Sequence, residues 1–211
     1  MTDRSGRAKF GRYGALISAA CALVRWIPRP LRNLLWDMSR PFGGHLALLL
    51  RYALLRADSG AIGENVYIGR NVTILNRDGL RIGSNVSIHE NCYLDAIGGC
   101  EIGNDVSIAH GCSLVSFNHT WEDGAVAIKY NPISKAPITI AVDVWIGAGV
   151  RLLGGAVIET RSVVAAGAVV TGFVPSGTLY GGVPARKLRD LVFSSMDSTL
   201  IRSPVPSEGT V

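Results

Sequence analysis

At 211 residues, with 48% hydrophobic and 18% charged side chains, the chain has the apolar content for one packed domain plus an appendage, which excludes a disordered polymer. Its 25 glycines follow no every-third-residue rule, so a collagen-like fibre is excluded as well, and they suit repeated tight corners instead. The formal charge of +5 is uneven: residues 1–57 hold ten Arg or Lys against Asp3 and Asp37 (+8), and the remainder holds eleven against fourteen (−3).

A basic segment beside apolar residues serves an anionic membrane or a nucleic acid. Nucleic acid is not expected, because neither aromatic platforms for bases nor a groove-reading helix is present. Membrane is the better guess. The cysteines Cys21, Cys92, Cys100 and Cys112 have no CxxC spacing and read as buried reduced thiols of a cytoplasmic protein. Cys92 and Cys112 occupy equivalent places in adjacent repeats, so stacking is expected.

In chain order, residues 14–24 (GALISAACALV) form an apolar run far short of the roughly 18–20 residues that span a bilayer. No polar mature-like stretch follows it, so it does not read as an export signal. Pro28 and Pro30 break this first helix. LRNLLWDM and GGHLALLLRYALLRA then carry Leu and Arg at helical spacing. A helical segment over 1–58 is expected, capping an open sheet end, touching a membrane surface through residues 10–57 at its inner face, or both.

From Ile62 a different rule begins. Aliphatics return every sixth residue (Ile62, Ile68, Ile74; Ile82, Ile88, Leu94; Ile102, Ile108, Leu114), with a step of eight twice at the same corner. The beat stops after Leu114 and resumes at Ile140, Ile146, Leu152, Ile158, Val164 and Val170, with Val or a small residue four places after each. Period six is neither helix nor plain strand; it marks a hexapeptide β-helix whose flat sides meet at tight corners. About five coils are expected, some 24 Å long at about 4.8 Å per layer. The domain spans 59–192, a loop over 119–137 leaves it, a short helix is expected after Pro184, and 193–211 reads as a flexible tail.

Four motifs stand in order: Asn118-His119 opening the long loop, PITI..DVWIGAGV, VVAAGAVVTGFVP and GGVPARKLR. Together they resemble the hexapeptide-repeat acyltransferases, within them the maltose, galactoside and Nod-factor O-acetyltransferases and the capsule and exopolysaccharide acetyltransferases, over roughly residues 60–190. The resemblance implies an all-β fold, a left-handed parallel β-helix, assembled as a homotrimer with active sites between prisms. It implies acetyl-CoA as co-substrate and acetyl transfer to a hydroxyl of a sugar or glycan, with no metal.

Residue by residue, the resemblance makes His119 the catalytic base. The chemistry agrees, since an acceptor hydroxyl attacking a thioester needs a base that titrates near neutrality. Trp145 matches a tryptophan beside the site, Asn118 opens the loop, and Trp121 either stacks on a sugar ring or anchors the loop. Ala148, Ala166, Thr171, Arg186 and Arg189 fall where the family contacts coenzyme A, the arginines suiting phosphates. Gly172 departs from the pattern, which has lysine in several relatives. Asp95 either positions the acceptor or is a plain corner residue.

Other readings are a serine-type or other small-molecule O-acetyltransferase and a silent β-helix used for assembly. A third is a carbonic-anhydrase-like zinc site, against which His89, His110 and His119 stand at different offsets from their aliphatics and form no ladder. A glycan precursor made at the inner membrane face is the favoured acceptor.

Overall fold

A computed structural model describes residue 11 and residues 13–193; residues 1–10, 12 and 194–211, including nearly all of the tail expected over 193–211, lie outside the described residues. Among the described residues three helices are delimited before the strands: α1 (Gly14–Arg25), α2 (Arg29–Ser39) and α3 (His45–Asp58). Pro28 ends the turn after α1 and caps α2, where Pro30 sits in the first turn and removes no helical hydrogen bond. Gly44 opens α3 at φ 87°, a backbone conformation that a side chain resists. No described helix is long and apolar enough to cross a membrane.

The chain then winds into a three-sided prism of parallel strands. One side runs from Ala61–Ile62 to Phe173–Val174 in six strands. A second runs from Tyr67–Ile68 to Thr178–Gly181 and is closed by Arg186–Asp190. The third, of five strands, runs from Thr73–Leu75 to Val169–Val170. The six-residue beat is the register itself: Ile68 lies beside Ile88, Ile88 beside Ile108, Ile108 beside Ile146, and Ile146 beside Val164. These aliphatics are at most 1% exposed and stack in the prism axis. The two steps of eight become a corner bulge in which Gly79 and Gly98 lie against the carbonyls of Ala96 and Ser116, leaving no room for a Cβ.

Two expectations need correction. The prism has five complete coils and two sides of a sixth. The corner between Val170 and Val174 is two residues shorter than the beat, which hid the last coil, although Tyr180 again falls six after Val174 and pairs with Val164. The segment after Pro184 is a strand and not a helix: Arg186–Asp190 runs antiparallel to Thr178–Gly181, covering the edge that the sixth coil would otherwise leave bare. Leu188 and Leu191 have helical spacing, but ladder hydrogen bonds outweigh that local preference.

The opposite end is capped by α3, as one of the two sequence readings has it. α3 packs on the first coil with Tyr52, Leu54 and Leu55 buried, and the Tyr52 hydroxyl donates to the Gly63 carbonyl at 2.9 Å. Cys92 and Cys112 are neighbours in adjacent coils, and their thiols donate to the carbonyls of Ala109 and Gly147. All four cysteines are free, and burial pushes the Cys100 thiol up to about 12. In the native protein at pH 8, a thiol reagent is therefore expected to titrate Cys21 alone, with Cys92, Cys100 and Cys112 reacting only after unfolding. More than one fast-reacting thiol per chain would contradict this packing.

Candidate active site

The third coil opens at its corner. After Ser113–Val115 the chain leaves the prism as the strand Phe117–His119, which pairs antiparallel with Ile133–Lys135: Phe117 faces Lys135, Asn118 faces Ser134 and His119 faces Ile133. The expected loop is thus a β-hairpin at its base. Ser116 and Ala136 hold the exit and return points together by an Ala136 N–H to Ser116 carbonyl bond of 2.9 Å. His119 stands exposed, edge-on to the Phe117 ring at 6.0 Å.

Gly154 of the next coil makes this exit possible. A Cβ there would lie 3.0 Å from the Asn118 side-chain nitrogen, 3.0 Å from the Ala136 Cβ and 3.2 Å from the Phe117 amide, so a side chain would press on the hairpin base. The hairpin tip is organised by Asn131, 5% exposed, whose amide donates to the carbonyls of Asp123, Val126 and Ala127 while its oxygen accepts from the Asp123 N–H. Sequence reasoning missed both residues; the one available signal for Asn131 was the Asn-Pro pair that closes the loop. Trp121 is 69% exposed on this tip.

Asp95 lies at the same corner one coil away and is 8% exposed. Its carboxylate accepts from the Asn76 side chain at 2.7 Å and the Ile97 amide at 3.2 Å, and its carbonyl accepts from Ser116, which ties it to the hairpin exit.

The other expected residues lie across the prism face. Trp145, 55% exposed, points out of the second side beside Ser107 and Val163. Ala148 and Ala166 sit on the corner beyond it, stacked by the Gly167 N–H to Ala148 carbonyl bond of 2.8 Å. With Gly149 and Gly167, where an added Cβ would meet open space, they form a strip without bulk, and the amides of Ala148 and Ala166 have no acceptor among the described residues. Such a strip fits an extended, amide-bearing chain. Arg186 and Arg189 are exposed on the closing strand above it, whereas Thr171, exposed after Val169–Val170, lies at the hairpin's end of the third side and is not brought to this strip. Within one chain Ala148 stands at the start of the third side, before Arg151–Leu152, and His119 on the hairpin that leaves the prism beyond the other end of that side.

Among the described residues no group of three or more His, Cys, Asp or Glu side chains gathers to hold a metal. His89 instead lies 3.8 Å from Glu90 and against the Tyr67 ring.

No family model matches the chain. Over 92% of its length it superposes on 93% of a hexapeptide-repeat containing acetyltransferase of Vibrio cholerae complexed with acetyl coenzyme A, at 26% identity and a TM-score of 0.67. The chain has the fold of the hexapeptide-repeat acetyltransferases. A galactoside acetyltransferase in complex with coenzyme A shares it too, at 25% identity, 85% and 88% coverage and a TM-score of 0.70. A curated relative, the 2,3,4,5-tetrahydropyridine-2,6-dicarboxylate N-acetyltransferase of Clostridium perfringens, is 40% identical over 83 residues, 39% of this chain and 35% of the relative. A probable acetyltransferase of Mycobacterium tuberculosis is 34% identical over 77 residues, 36% of this chain and 26% of the relative. The chain thus spans about one third of the length of the curated relatives it matches.

Proposed function

We propose that the protein is an acetyl-CoA-dependent O-acetyltransferase acting on a hydroxyl of a sugar or glycan, with His119 as general base. The observation that carries this reading is the hairpin, which lifts an exposed histidine from one end of a face whose other end is a strip of small residues fit for the pantetheine arm. Two of the solved structures of this fold are complexes with acetyl coenzyme A or coenzyme A, which supports the choice of donor.

In the reaction, the acceptor hydroxyl attacks the thioester carbonyl as the His119 imidazole takes its proton. The tetrahedral intermediate collapses with cleavage of the C–S bond, and the imidazolium returns the proton to the departing thiolate. Because His119 and the Ala148–Ala166 strip of one chain are a face apart, a neighbouring prism would supply the strip that serves a given His119, in keeping with the homotrimer that the resemblance implies. Trp145 would border the thioester end of the cofactor, and Arg186 and Arg189 its phosphates, as charge-assisted donors. Asn118, held over Gly154, sets the hairpin strand from which His119 projects. Asp95 and Trp121 would contact the acceptor, Asp95 with the corner bonds that already fix it.

A second reading has an amine as acceptor, favoured by the Clostridium perfringens N-acetyltransferase among the relatives. A panel of sugars, amino sugars and amino acids incubated with acetyl-CoA, with release of coenzyme A thiol followed, decides between them. Acetyl transfer to hydroxyls, with amino sugars no better than their hydroxyl counterparts, is expected. Preferential transfer to amines would overturn the O-acetyl reading, and no transfer to any acceptor class would overturn both.

A further inference from the structure

α1 and α2 each settle one face against α3 and turn an apolar face outward. On α1, Ile17, Ala20, Cys21 and Val24 join the core. Leu16, Leu23 and Trp26, on the opposite side, are 58%, 71% and 89% exposed. On α2, Leu35 and Trp36 face inward, whereas Leu31, Leu34 and Met38, at steps of three and four, are 46%, 53% and 59% exposed. Single exposed leucines need no explanation, but two stripes at helical spacing joined through an almost bare tryptophan call for an occupant.

Charge says which one. Residues 1–57 carry ten Arg or Lys against two Asp, whereas the rest of the chain is net acidic. Arg25 and Arg29 are exposed where the two helices meet, flanking Trp26. Arg29 has Asp78 at 3.3 Å, but both side chains are more than half exposed, so solvent weakens that pair and leaves the cation available. A second copy laid on these stripes would bring Arg25 and Arg29 of each chain together, which like-charge repulsion opposes. An anionic surface meets both the apolar stripe and its basic rim. Tryptophan suits the boundary between headgroups and acyl chains, and α1, with 12 residues, is about 18 Å long, too short to cross the acyl core.

We propose that α1 and α2 dock the protein onto a bilayer containing anionic phospholipid, lying in the headgroup plane with Leu16, Leu23, Trp26, Leu31, Leu34 and Met38 inserted and Arg25 and Arg29 against lipid phosphates. The docking does not depend on the acetyl-transfer reading. If that reading also holds, the acceptor is one presented at the membrane surface.

The full-length protein is sedimented with vesicles of phosphatidylcholine alone and of phosphatidylcholine with phosphatidylglycerol. Binding to the phosphatidylglycerol vesicles is expected, released by high salt. It should fall about tenfold or more in the Leu23→Ser/Trp26→Ser variant, and by a similar factor in Arg25→Glu/Arg29→Glu. All four side chains are exposed, so the thermal unfolding midpoint should not move. The proposal is overturned if the wild type stays in the supernatant with anionic vesicles, or if the serine variant binds like the wild type. It is equally overturned if the serine variant lowers the mass of the free protein in sedimentation velocity, which would assign the stripes to a contact between copies.

Discussion

Replacing His119 with alanine is expected to lower kcat for acetyl transfer by about 10²- to 10⁴-fold, with KM for acetyl-CoA nearly unchanged. The asymmetry follows from the geometry. The strip, Trp145 and the two arginines are the groups proposed to hold the cofactor, so loss of His119 removes proton transfer and leaves those contacts in place. The side chain is exposed beside the Phe117 ring, so the unfolding transition should also stay where it is. His119→Gln keeps a hydrogen-bonding side chain but cannot take up the proton, and should be as slow as alanine. Full activity in either variant would remove the histidine from the mechanism.

The same variant tests the shared site. Subunits carrying His119→Ala have an intact Ala148–Ala166 strip, and subunits carrying Ala166→Trp have an intact His119. If each site is built by two neighbouring prisms, unfolding and refolding the two inactive variants together should recover a fraction of wild-type activity. Recovery would require a site with neither lesion, which arises in a mixed assembly only when both parts come from different chains. No recovery despite mixed assemblies would place the whole site on one chain.

What could be read from the sequence depended on whether residues act through the repeat. Core positions such as Ile88, Ile108, Ile146 and Val164 were legible because a period of six leaves one register in which all of them point inward. The sixth coil was not, because its signal is a deletion: losing two residues at Thr171-Gly172 shifts Val174 into the place of an inward aliphatic, and only the Val174–Tyr180 spacing betrays it. The closing strand was hidden for a different reason. Its residues pair with an edge that exists only once the prism is built, so local spacing pointed to a helix. At the candidate site, His119 and the small-residue strip stood out by motif. Gly154 and Asn131 did not, since one acts by lacking a side chain next to a hairpin 36 residues earlier and the other by bonding to backbone carbonyls.

The largest stability effect is expected at Arg51, which no sequence pattern singled out. It lies in α3 among leucines and is fully buried at 0% exposure, yet each of its hydrogen bonds goes to a carbonyl and none to a carboxylate. Its Nε donates to Ile68 of the first coil at 3.0 Å, and its Nη1 donates to Ser39 at the end of α2 at 2.8 Å and to Phe42 of the linker at 2.9 Å. Burial pushes the guanidinium pKa down, but the arginine ordinary value is so high that it stays charged throughout the working range. One side chain therefore fastens the capping helix, the helix before it and the prism to one another.

In Arg51→Leu the apolar volume is largely kept, but the carbonyls of Ile68 and Phe42 lose their donor, while that of Ser39 keeps the Phe42 N–H at 3.2 Å. At about 1–3 kcal/mol for each of these two groups, partly relieved by relaxation, the loss should be about 2–5 kcal/mol, a large share of a domain's stability. Arg51→Lys should recover only part of it, because an ammonium lacks the planar fork that reaches two elements at once. The cap should loosen first, baring the strand edges of the first coil, so the leucine variant is expected to aggregate through that end as well as to unfold at lower urea. Urea unfolding followed by circular dichroism, with size-exclusion chromatography of the native state, measures both. A leucine variant within about 0.5 kcal/mol of the wild type would show that the Ile68 and Phe42 carbonyls find other donors and that apolar packing of Tyr52, Leu54 and Leu55 holds the cap by itself.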